Sequence, residues 1–272
     1  MSTSAPAAVA ATSQPGRRLL GTLVIAVALL AWAMLVLWNA SPYGRYLDHG
    51  GWLSAEWFAA ICSVTPNGDL VVPALTHTLA WLLMIAAMML PTTLPLLGLF
   101  GRITADRADA KALRMLVVAG YTLAWMLFGM VAHASDRVLH LTASTSGWLL
   151  VYPWMIGAAV LAIAGAFQFS DLKYRCLDRC RTPFGFVNKH WRGTRPERES
   201  FIMGFDHGLF CVGCCWALML LMFVVGMGNL GWMLLIGLFT AAEKNLPWGG
   251  RLSAPLGVVL LGSAAAVVGL NL

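Results

Sequence analysis

Three thiols and an imidazole fall within nine residues at the head of one apolar run: His207-Gly-Leu-Phe-Cys211-Val-Gly-Cys214-Cys215-Trp216. At about 100° per residue, the offsets of the cysteines from His207 place all three on one broad helical face. Soft sulfur donors converging where the dielectric is low suit a metal ion or a redox couple. The Cys211-x-x-Cys214 spacing also holds two sulfurs within reach of one ion. Cys62 stands alone and reads as a small packing hydrophobe. Cys176 and Cys180 are one helical turn apart in a basic stretch, and a helix pair would bring them toward Cys211.

The thiol face continues into the apolar run through Leu218 and Met222. A related stripe of His77, Trp81, Met84 and Met88 precedes Pro91, which is expected to kink its helix. Thioether, thiol and imidazole together suit a soft or borderline cation. Cu(I) is the first choice and zinc the second, while hard cations would want carboxylates that these stripes lack. His77, Met84, Met88 and Met222 then read as a metal path. Asp206 and Glu243, near the same boundary, read as groups that orient the ligands.

These residues need a membrane to hold them. Hydrophobic types make up 59% of the 272 residues and charged types only 11%, too little polar surface to cover a soluble globule. Apolar runs at Leu19–Trp38, 74–100, 115–132, 147–168, 205–225, 228–246 and 254–270 carry no charge near their middles. They predict an all-α, polytopic transmembrane bundle of about seven helices. The sixth is the least secure, because the hairpin near Gly226–Asn229 must turn tightly for both of its arms to cross.

Placing the N-terminus in the cytoplasm puts sixteen of the eighteen lysines and arginines inside, leaving Arg45 and Arg137 outside. That is the positive-inside bias of a multi-pass membrane protein. The net charge of +6 is then explained by lipid headgroups, and no nucleic-acid partner is expected. Residues 1–18 read as a disordered cytoplasmic tail, and residues 19–272 as one transmembrane domain with a basic cytoplasmic loop at 170–204. Arg17-Arg18 and the run after it read as an uncleaved anchor. The external loop from Asn39 to Val72 is expected to carry an amphipathic, interface-lying segment.

Four segments carry a resemblance: Ala87-Met88-Met89-Leu90-Pro91-Thr92, Cys176-Leu177-Asp178-Arg179-Cys180-Arg181-Thr182-Pro183, Cys211-Val-Gly-Cys214-Cys215-Trp216 with Leu218-Met219, and Glu243-Lys244. In these the chain resembles a bacterial domain-of-unknown-function family described as predicted metal-binding integral membrane proteins. Phe167-Gln168 departs from that family's Tyr-Gln, and Met227 is displaced by one place, so Met227 is given no ligand role. The resemblance implies metal binding and attaches no reaction.

Three functions compete on the sequence. The first is a metal-handling protein that carries or delivers Cu(I) through Cys211, Cys214, Cys215, His207, Cys176 and Cys180, with a metallochaperone or a metalloenzyme under assembly as partner. The second is a membrane thiol–disulfide oxidoreductase using Cys211 and Cys214. The third is a structural or assembly subunit. No catalytic residue is assigned, because no hydrolase triad, phosphate-binding loop, thioredoxin-like domain or quinone- or flavin-binding signature is present.

Overall fold

The computed structural model describes residues 14–41, 71–145, 152, 154–226 and 228–272. Most of the N-terminal tail, most of the external loop with Cys62, and Met227 lie outside those residues, as does the expected amphipathic segment apart from its ends. The chain is all-α. Its helices are α1 (Gln14–Asn39), α2 (Val71–Met84), α3 (Leu94–Ile103), α4 (Ala110–Thr145), α5 (Trp154–Phe167), α6 (Asp171–Arg181), α7 (Pro183–His190), α8 (Pro196–Val225), α9 (Leu230–Asn245) and α10 (Ser253–Asn271).

Five stretches are long and apolar enough to cross a membrane: 21–39, 75–103, 110–139, 196–222 and 249–271. The pair α5 and α6, bent by 63°, makes a sixth if it counts as one span. The sixteen residues of α9 rise only about 24 Å, short of the ~30 Å of a hydrocarbon core. Leu37, Met115, Val131 and Val259 are each more than 60% exposed, as expected of side chains that face lipid.

The most extensive packing is between α4 and α8. Glycine makes it possible, since a Cβ on Gly120 would stand 2.2 Å from the Phe201 carbonyl oxygen and one on Gly204 would stand 2.0 Å from that of Val117. Small residues let backbones approach in this way where no solvent drives helices together. Val117 meets Gly204 and Tyr121 meets Gly208, so residue numbers rise together and the two helices run parallel. Parallel packing requires the chain to return between them, and the bent pair α5–α6 does so.

Three basic connections share one end of the bundle. Phe100, at the end of α3, meets Trp191 edge-on with ring centres 4.9 Å apart, and Arg107 lies over the same indole. Arg181 donates to the Leu246 and Pro247 carbonyls at 2.6 and 2.9 Å. Their common side is what the distribution of lysine and arginine requires.

The break after α2 is not a simple proline kink. A π turn, Ile85–Met89, is followed by a 3-10 turn, Leu90–Thr93, which leads into α3. Pro91 has no N–H to give a carbonyl four residues back, and the widened turn absorbs that loss. Thr92 and Thr93 hydroxyls donate back to the Met89 and Leu90 carbonyls, each at 2.7 Å.

Candidate metal centre

A buried ion pair sets the position of the site. Lys173 of α6 and Glu243 of α9 meet at 2.8 Å, both almost fully buried. Gln168 accepts from the same ammonium, and Ser253 donates to the same carboxylate. The Ser170 hydroxyl, accepting from the Lys173 amide, caps α6 just past the bend, and Thr182-Pro183 ends it. The pair therefore fixes α6 and α9 to each other. One residue on, about 100° around α9, Lys244 points at the thiols of α8.

Lys244 Nζ lies 2.7 Å from Cys211 Sγ. Tyr121, reaching from α4, places its hydroxyl 3.0 Å from the same sulfur and 3.1 Å from the Met89 carbonyl oxygen. An ammonium against sulfur is a charge-assisted contact whose natural partner is a thiolate. Cys214 and Cys215 donate to the Cys211 carbonyl at 3.0 and 2.9 Å. The Cys214 sulfur also faces Cys180 Sγ at 4.0 Å, so α6 and α8 each contribute a thiol to one pair. Cys176 is buried against Gly213, where a Cβ would meet its sulfur at 2.7 Å. All five of these cysteines are free.

Among the described residues, no three His, Cys, Asp or Glu side chains converge as a ready ligand shell. The buried His207 ring lies against Phe186 and Tyr121, with ring centres 4.9 and 5.9 Å away, and its Nδ1 has no hydrogen-bond partner. Asp206 accepts from Lys189 and from His190, each at 3.1 Å. Burial pushes the His190 imidazole down from its ordinary value, against the opposing pull of Asp206. The Glu243 carboxylate is engaged by Lys173 and Ser253, so the group on α9 that faces the cysteines is Lys244.

His77 of α2 stacks on His133 of α4 with ring centres 4.0 Å apart. His133 is twelve residues past Tyr121, about 18 Å along α4, which puts this pair far from the thiols. Met84, Met88 and Met222 are all buried within the core that also holds Cys211 and Cys214. Both stripes thus face inward. The two sulfur- and imidazole-rich stripes lead one to expect the second and fifth spans to be direct neighbours, but α4 is the main partner of α8, and Tyr121 of α4 links Cys211 to the Met89 carbonyl.

Tyr121 and His133 were not singled out in the sequence, whereas Met89 and Lys244 stood in the resembling segments Ala87–Thr92 and Glu243-Lys244 without a ligand role. For Lys244 the usable signal was its place beside Glu243 at the end of a charge-free run, where ionisable groups at the edge of a membrane span mark a functional site.

The helices that build this arrangement also carry its family signature. Residues 78–267 match the family described as PpoB2, copper chaperone. The chain belongs to that family. The match begins one residue after His77 and includes both halves of the thiol cluster and Lys244. No curated protein and no solved structure matches the chain.

Proposed function

We propose that the protein binds Cu(I) as cargo at the thiol cluster and hands it to a metalloprotein partner from the bacterial inner membrane. The observation that carries this reading is the pairing of Cys180 and Cys214 across two helices, 4.0 Å apart and next to Cys211. Metal–thiolate bonds are about 2.3 Å long, so two sulfurs sharing an ion stand up to ~4.6 Å apart, and this pair falls within that reach. Two sulfurs suit a soft monovalent ion, whereas structural zinc asks for four ligands. Membership of a copper chaperone family supports the same choice.

This chain's residues supply the reception of the ion. The bent α5–α6 segment carries Cys180 to the basic end, where it remains half-buried and open to a donor. The Lys173–Glu243 pair holds that segment against α9. Cys211, Cys214 and Cys215 lie almost fully buried behind it, which excludes water and oxidants from a bound ion. His77, Met84, Met88 and Met222 extend soft donors toward the other end and give a route for transfer through the bundle.

The test is the metal content of the full chain purified in detergent under reducing conditions and exposed to Cu(I). Bound copper that falls when Cys211 is replaced by serine, with insertion unchanged, supports the reading. A reduced wild-type protein that retains no copper against a weak chelator ends it.

A further inference from the structure

Besides the thiol pair at Cys180 and Cys214, a second group of sulfurs surrounds the Lys244 ammonium. Nζ lies 2.7 Å from Cys211 Sγ, 3.9 Å from Cys215 Sγ and 4.0 Å from Met89 Sδ. All three sulfur side chains are almost fully buried. Thioether sulfur is a weak hydrogen-bond acceptor, so a methionine is a poor group with which to satisfy a buried ammonium. The same three atoms are good donors to a soft monovalent cation. A tethered monovalent cation already sits among them.

We propose that the cargo ion has a second, inner position among Met89, Cys211 and Cys215, in the space the Lys244 ammonium fills, with the Met89 thioether as a ligand. This rests on the copper reading above. Cu(I) takes the contact with the Cys211 thiolate that the ammonium holds and adds the Met89 thioether, Cys215 keeps the proton it donates to the Cys211 carbonyl, and the ammonium withdraws on its flexible stem with its own proton. One monovalent cation replaces another, so the charge of the nest is unchanged and no new charge is buried.

The break after α2 explains why Met89 is available. In a regular helix, Met88 and Met89 would point about 100° apart and only one would face the core. Across the π and 3-10 turns both point inward: Met88 lies over Gly237 of α9, and Met89 lies against Lys244. The Met89 carbonyl is held by the Tyr121 and Thr92 hydroxyls, which ties its backbone to the same tyrosine that touches Cys211. π turns inside α-helices are frequent at functional sites.

Selenomethionine-labelled full chain, reduced and loaded with Cu(I), gives a direct readout at the selenium absorption edge. The expected result is a copper neighbour of selenium in the wild-type protein, lost in Met89→Leu and kept in Met88→Leu, with copper at the Cys180–Cys214 pair surviving both changes. Copper bound by the wild-type protein without any copper–selenium neighbour overturns the inner position and leaves the copper reading intact. Loss of the signal in Met88→Leu with retention in Met89→Leu overturns the assignment of the ligand. Absence of bound copper altogether overturns both. If Met89→Leu fails to fold, a wild-type spectrum without a copper–selenium neighbour still overturns the inner position, and a neighbour that persists when Met84, Met88 and Met222 are all replaced by leucine supports it.

Discussion

Replacing Gly204 by alanine adds one methyl group at the closest helix approach made by a glycine among the described residues. Its Cβ would stand 2.0 Å from the Val117 carbonyl oxygen and 2.7 Å from the carbonyl carbon. Both atoms are backbone of α4 and cannot rotate aside. Restoring ordinary contact requires the two helices to part by about 1.4 Å. Tyr121, one turn further along α4, has its hydroxyl 3.0 Å from Cys211 Sγ; the same displacement carries it beyond hydrogen-bonding range. Overpacking of this kind costs about 1–3 kcal/mol, a fall of roughly 2–10 °C in unfolding temperature. The assay is thermal unfolding in detergent alongside Cu(I) retention. Gly98→Ala is the control, because nothing lies within 4 Å of a Cβ there. Gly213→Ala is the intermediate case: its Cβ would stand 2.7 Å from the Cys176 sulfur and 3.5 Å from the Cys176 Cβ, and since the sulfur is the end of a side chain that can turn, the effect should stay local to that thiol. If Gly204→Ala matches Gly98→Ala in both measurements, the α4–α8 approach does not position Cys211.

Glu243→Gln leaves the Lys173 ammonium buried without its carboxylate, and should cost about 3–5 kcal/mol. Restoring much of that loss by adding Lys173→Met would show that the penalty is unpaired charge, and a double variant less stable than either single one would refute it. The topology predicts that a reporter fused after Thr194 or Arg107 reads as cytoplasmic and one after Val72 as external. Labelling of Cys180 by an impermeant thiol reagent from outside intact cells would reverse the arrangement. Copper retention should fall in Cys180→Ser as well as in Cys211→Ser, because the thiol pair spans α6 and α8; an unchanged copper content in Cys180→Ser would remove α6 from the site.

The all-α class was legible because it follows from composition and long apolar runs, which depend little on tertiary detail. The thiol face of α8 was legible for a similar reason, since 3.6-residue periodicity fixes which side chains share a side before any neighbour is known. Cys176 and Cys180 reached the cluster as their one-turn spacing suggested, through a helix whose direction is set by Ser170 and Thr182-Pro183. Periodicity is silent about rotation between helices. Glu243 and Lys244 are adjacent on one helix and differ by about 100°; only the position of Lys173 on a different helix decides which of them faces the sulfurs. The π turn is a failure of the same rule, since counting in steps of 3.6 residues carries the stripe from Met84 to Met88 and turns Met89 away, whereas the turn that accommodates Pro91 brings Met89 back inward. A stripe of sulfur and imidazole side chains read along one helix therefore locates only what that helix contributes. The cation that occupies their centre comes from a different helix, whose only charged residues are the adjacent Glu243 and Lys244 at its end.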